Sequence, residues 1–186
     1  MPNISIYLAA ALICIAAVVG VGVGYALTPE YQLSMYDKGS MDLGRPDTWL
    51  DLRYVNAMIA HHRGAVLLAE AAEKSERTEV AELARDIQKN EPILIAELYA
   101  WKKEWYGDTR VVRDPAVARL GDVDATFDLR FLNALIAHHE NGIRMTEDVR
   151  MKSSRGAVLD NADAVETFLR TSGDLLKGWR SAWYAQ

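Results

Sequence analysis

The chain has 186 residues, half of them hydrophobic, with four histidines, one cysteine and a net charge of −5. An acidic chain without a basic run argues against a nucleic-acid partner, whose phosphates require clustered Lys and Arg. With Cys14 alone, and that in the apolar N-terminal stretch, there is no intrachain disulfide and no thiolate site in the remainder.

In chain order, the first predicted element is the uncharged run Ile4 to Leu27. A bilayer core takes about 20 helical residues, so residues 1–29 read as an uncleaved transmembrane anchor, with a cleaved signal as the alternative. Gly20 and Gly24 form a GxxxG pair that could join two anchors in a homodimer, although small residues are common throughout this segment. Residues 30–46 carry Pro, Gly, Ser and scattered charge without a period and read as a linker. Residues 47–186 are long enough for one domain with a core of its own.

That domain is a duplication. Asp47 to Glu70 aligns without a gap to Asp124 to Glu147 at an offset of 77, with 11 of 24 positions identical. Each copy closes on a similar aromatic segment, Trp101 to Tyr106 and Trp179 to Tyr184, so repeat one is 47–106 and repeat two 124–184. Within each, helical periodicity predicts two helices. The first should run from Asp47, as N-cap, to about Lys74, and the second from Ser75 or Thr78 to Tyr106, with Gly107 as its stop. Pro92 falls inside the second and should kink it. The third should run from Asp124 to about Met151 and the fourth from Asp160 or Asn161 to Tyr184. Short links make each pair an antiparallel hairpin. The stretch from Gly107 to Val123 could hold a short helix at Pro115 to Leu120, and its length leaves the direction of the third helix open. The predicted fold class is therefore all-α, a four-helix bundle of two repeated hairpins preceded by a transmembrane helix.

The chemistry sits in the histidines. His61, His62, His138 and His139 occupy matching mid-helix positions of the two repeats. One stripe reads Met58, His61, Ala65, Leu68 and then Leu135, His138, Gly142, Met145. The other reads Val55, Ile59, His62, Val66 and then Leu132, Ile136, His139, Ile143. Both stripes are apolar, so all four imidazoles are expected on or near the buried side, where each ring nitrogen needs a partner. A cation would supply one. Met58 and Met145 share stripes with His61 and His138, and thioether with imidazole favours copper, Cu(I) above all. Glu91 interrupts the apolar stripe of the second helix, between Ile87 and Leu94. A carboxylate there must be paired or bind a cation, and if it joins the histidines zinc or iron gains ground. Asn56 and Asn133 precede each His pair by five residues and are candidate outer-layer partners. Arg53 and Arg130 with Asp51 and Asp128 read as boundary ion pairs, and the paired tryptophans as core at the ends of the bundle.

The segment Asn56-Ala-Met-Ile-Ala-His-His-Arg-Gly-Ala65, with its second copy Asn133-Ala-Leu-Ile-Ala-His-His-Glu-Asn-Gly142, resembles the bacterial family known as domain of unknown function 305. The resemblance implies a ferritin-like four-helix bundle, exported or membrane-anchored, with copper binding through Met and His in some members. The sequence departs from that pattern at Leu68 and Leu135, where the family tends to have Met, and at Glu91-Pro92-Ile93-Leu94, in place of a Gln-x-x-Glu element. The expectation is a metal-binding protein of the cytoplasmic membrane, its domain facing the periplasm or cell exterior, that sequesters or passes on copper and carries no catalytic residues. A ferritin-like di-metal oxidase is one alternative, although Glu-x-x-His pairs are absent. A metal-free helical interaction module is the other.

Overall fold

The computed structural model describes residues 42–184. The apolar run 4–27 lies outside them; among the described residues no helix is long and apolar enough to cross a membrane. Four helices are present in this range: α1 (Leu50–Ala72), α2 (Thr78–Tyr106), α3 (Phe127–Lys152) and α4 (Gly156–Tyr184). The all-α, four-helix, two-hairpin expectation holds.

The helix starts are built alike in both repeats. Asp47 accepts the Trp49 N–H on its carboxylate (2.9 Å) and the Leu50 N–H on its carbonyl (3.0 Å). It therefore folds the turn before the helix, and the N-cap position itself falls at Trp49, two residues later than expected. Asp124 does the same for Thr126 (2.8 Å) and Phe127 (3.0 Å). Arg53 then ties the entering chain down, donating to Asp47, Leu43 O and Arg45 O. Arg130 donates to Asp124, Leu120 O and Asp122 O in the same way. The expected pairing of these arginines with Asp51 and Asp128 is thus corrected. Side chains two apart on a helix do not face one another, and both aspartates reach instead into the other repeat. Asp51 accepts from Ser153 Oγ (2.7 Å) and Arg155 Nε (2.9 Å); Asp128 accepts from Ser75 Oγ (2.6 Å) and lies 3.4 Å from Arg77. Arg155 in turn covers Trp105 and Arg77 covers Trp183, each tryptophan stacked on its neighbour Trp101 or Trp179.

At the other helix ends, Gly107 takes the left-handed conformation (φ 61°) and its N–H closes on the Lys102 and Lys103 carbonyls, as expected of an αL stop. Helix α2 continues through Pro92. Helix α4 begins at Gly156, about four residues before its predicted start, because the Ser153–Arg155 turn is fixed by Asp51 and lets the helix start at once. No helix forms at Pro115 to Leu120; that stretch is irregular, and it buries Ala118 and Leu120 against the core.

The core consists of two clusters. One joins the C-terminal half of α1 (Ala65, Leu68, Ala69, Ala72) to the N-terminal half of α3 (Phe127, Phe131, Leu132, Leu135). The other joins the N-terminal half of α1 (Leu50, Tyr54, Val55, Met58) to the C-terminal half of α3 (Met145, Val149). Helix α3 is therefore antiparallel to α1. The connector packs Val112 on the second cluster and Val117, Ala118 and Leu120 on the first, so it runs the length of the bundle. Close backbone approaches occur within each hairpin and between α1 and α3. Helices α2 and α4 flank a cavity, and Leu94 and Phe168, which line it, are 39% and 56% exposed. Leu175 on α4 is half exposed.

Candidate metal site

All four histidines lie where the two clusters meet, between Ile59 and Ala65 on α1 and between Ile136 and Met145 on α3. The packed faces of the two helices meet there, and the rings of His61 and His138 stack with centroids 3.9 Å apart and planes 5° from parallel. That approach depends on two glycines. A Cβ on Gly142 would fall 2.6 Å from His61 Cε1 and 2.5 Å from Leu169 Cδ1, whereas one on Gly64 would meet His138 Cε1 at 3.2 Å. Gly142 therefore makes the seat for the His61 ring, and Gly64 a looser one for His138.

His62 and His139 flank the stacked pair, and each is met by the outer helix of its own hairpin. His62 Nδ1 is 2.5 Å from Glu91 Oε2 on α2. His139 Nε2 is 3.0 Å from Ser172 Oγ on α4. His62, His138 and His139 are buried and His61 is half-buried. A cavity of about 180 Å³ opens between α2 and α4 onto this floor, lined by the four imidazoles, Glu91, Ser172 and Asn161 amid apolar side chains. Of the groups lining it, Glu91 alone carries a formal charge when the imidazoles are neutral.

Neutrality of His61, His138 and His139 follows from their surroundings. Burial, then the neighbouring imidazoles, pushes His61 well below the ordinary imidazole value. Burial, with help from His139 and His62, takes His138 down to about 3. Burial, and then Lys177, takes His139 down to about 4. At neutral pH these rings keep a lone pair available to an electrophile. Three ring nitrogens, His62 Nε2, His138 Nε2 and His139 Nδ1, are buried without a hydrogen-bond partner. A cation entering the cavity would satisfy such nitrogens, each of which costs about 1–3 kcal/mol when buried and left unpaired.

Among the described residues, no three His, Cys, Asp or Glu side chains already converge on one point as an ion would need. The stacking explains why. Imidazole lone pairs lie in the ring plane, so two parallel rings cannot direct theirs to a common point between them. Ion capture therefore needs a ring to turn, and His61, the most exposed of the four, borders the cavity into which it would turn.

The remaining sequence candidates divide. Glu91 joins the site. Met58 and Met145 are fully buried and lie on the same side of the imidazole layer, in the cluster with Tyr54, but neither lines the cavity. Asn133 accepts a hydrogen bond from Arg180 (3.0 Å) and Asn56 Oδ1 is a buried acceptor without a partner; neither reaches the cavity. The sequence reading missed Ser172 and Asn161. Ser172 stands in a Thr-Ser-Gly stretch that carries no periodic signal, and Asn161, a predicted helix start, sits inside α4 and accepts from Tyr54 Oη (2.7 Å).

Residues 51–120, most of the first repeat and the connector, match the family described as domain of unknown function (DUF305). The fold is similar to the solved structure of CopM in its Cu(I)-bound form, at 26% identity and a TM-score of 0.62, covering 74% of this chain and 100% of that one. It is similar to the Ag-bound form of CopM at 26% identity and 0.61, covering 73% and 98%. The Cu(II)-bound form shares the fold at 24% identity and 0.60, covering 72% and 97%. No curated protein matches the chain.

Proposed function

We propose that this domain binds copper, taking Cu(I) through the imidazoles of His61, His62, His138 and His139, and serves to sequester or hand on the ion. The observation that carries the reading is the set of three buried, unpartnered imidazole nitrogens in one layer beside a cavity. Neutral imidazole suits copper, zinc and iron alike, but a site with one carboxylate leans away from the harder ions. Met58 and Met145, on one side of the layer, would add soft donors that favour Cu(I). The likeness to CopM, solved with Cu(I), Cu(II) and Ag, supports the same choice. A ferritin-like di-metal oxidase calls for several carboxylates facing the ions, and Glu91 is the one carboxylate lining the cavity. For the location, the apolar run 4–27 supports a single-pass anchor in the cytoplasmic membrane, with the domain in the periplasm or outside the cell. Protease accessibility of the domain in intact spheroplasts would test that side.

Competition of the full chain against a chromophoric Cu(I) chelator tests the binding. Uptake of Cu(I) by the wild type is expected, with a loss of about 100-fold or more on removing all four imidazoles, the outer-layer effect of about 10–100-fold being the lower bound. Equal binding by the variant His61→Ala/His62→Ala/His138→Ala/His139→Ala, with its helical circular dichroism intact, would end the proposal.

A further inference from the structure

The two halves of the site are not equivalent. In the second helix of each repeat the copies align at an offset of 78, as Trp101 does with Trp179, so Glu91 corresponds to Leu169 and Ser172 to Leu94. The outer partners of His62 and His139 thus arose at different places on α2 and α4. They also differ in what they impose. A carboxylate only accepts hydrogen bonds, so Glu91 requires the His62 proton to sit on Nδ1, and in the neutral ring the lone pair then sits on Nε2. A hydroxyl both donates and accepts, so Ser172 leaves either tautomer of His139 open.

Resting on the copper reading above, we infer that Glu91 is the positioning residue of the site: through His62 Nδ1 it fixes Nε2 as a permanently available donor and supplies the counter-charge for a bound monovalent cation. The geometry has three parts. The contact is short (2.5 Å) and the carboxylate is 8% exposed, so it is not a solvated surface pair. His62 Nε2, on the far side of the ring, is buried with no other partner. No other formally charged side chain lines the cavity, so one carboxylate with one monocation leaves the layer neutral, where burial of net charge is expensive. A hydrogen-bonded carboxylate also raises the donor strength of the imidazole it holds. His62 is accordingly the first anchor of the ion, and the other rings complete its surroundings once one has turned.

Two measurements on the full chain test this. Long-range ¹H–¹⁵N NMR of the metal-free wild type should show His62 wholly in the Nδ1–H tautomer. In Glu91→Gln, whose amide can donate as well as accept, His62 should become a mixture of tautomers. Competition titration should then show Cu(I) and Ag(I) binding weakened by about 10–100-fold in Glu91→Gln, while Ser172→Ala changes it less than threefold. An Nε2–H tautomer of His62 in the wild type, or Cu(I) binding unaltered in Glu91→Gln, would overturn the inference alone. A wild type that takes up no Cu(I) would overturn the function proposed above and this inference with it.

Discussion

The ends of this domain keep the symmetry of its duplication, whereas its middle does not. At the ends the duplication is intact: Asp51 with Ser153 and Arg155 mirrors Asp128 with Ser75 and Arg77, and each arginine covers a stacked tryptophan. These contacts cross between hairpins, so each repeat's entry motif holds the other repeat's turn, and a change on one side would break a bond on the other. In the middle, four identical imidazoles have acquired unlike neighbours: Glu91 or Ser172 beside the flanking rings, Gly142 or Gly64 beneath the stacked pair. Symmetry at the ends positions the two inner helices, and asymmetry at the centre distinguishes the four rings that those helices bring together.

The largest effect that would separate middle from ends is pH. The unfolded chain takes up protons on its histidines as pH falls through about 6.5, the ordinary imidazole value. In the folded chain His139 and His138 resist protonation down to about 4 and about 3, chiefly through burial. Between these limits the unfolded state holds more protons, so stability is full above pH 6.5 and is lost as pH drops, by at most about 1.4 kcal/mol per pH unit for each imidazole. Denaturant titrations of the metal-free chain from pH 7 to 4.5 should show this slope, and His138→Gln should flatten it. A slope unchanged in that variant would place the acid sensitivity at the ion pairs of the ends instead.

Next in size is the difference between the two glycines. Gly142→Ala puts a methyl group 2.5–2.7 Å from Leu169 and the His61 ring, which is closer than atoms can sit. It should cost about 1–3 kcal/mol, as overpacked cores do, and drive His61 off His138. Gly64→Ala meets His138 at 3.2 Å and should cost less than half as much. Thermal melts of both would decide, and equal losses would mean that the inner helices can shift to absorb either methyl.

At the ends, by contrast, paired substitutions should match. Asp51→Ala and Asp128→Ala each remove a carboxylate 16% exposed that accepts from a serine and forms an ion pair with an arginine of the other hairpin. Hydrogen bonds to charged groups are worth about 1.5–3 kcal/mol when well formed. The tighter Arg155 contact (2.9 Å against 3.4 Å for Arg77) places Asp51 at the upper end of that range. Melting shifts differing more than about twofold would show that the crossed contacts are not equivalent.

Much of this was readable from residues alone. The repeat, the two hairpins, the Gly107 stop and the histidines on apolar stripes follow from periodicity and spacing, because those features are local. Glu91 was visible as a carboxylate on an apolar stripe, though not its partner. The true partners of Asp51 and Asp128 were not found, yet the spacing of two between Asp51 and Arg53 already denied them a shared face. The direction of α3 was unreadable for another reason: the connector from 107 to 126 is long enough to turn back or to run the length of the bundle, and only its burial of Val117, Ala118 and Leu120 settles which. The cavity between α2 and α4 was equally hidden, because Phe168 and Leu94 fit a helical stripe whether they meet a neighbour or line an opening.

The smallest expected effect is at Ser172, and it bears most directly on the asymmetry. Ser172→Ala removes one hydroxyl from a half-buried position and leaves His139 Nε2 unpaired. A neutral hydrogen bond contributes about 0.5–1.5 kcal/mol, so the melt should move only slightly in the metal-free chain. With Cu(I) bound the loss should shrink, because an ion-held His139 no longer depends on the hydroxyl for its orientation. Comparing the melting shift of Ser172→Ala with and without Cu(I) therefore reports whether His139 is a ligand. A shift of the same size in both states would assign His139 to the scaffold and leave the ion to the other three rings.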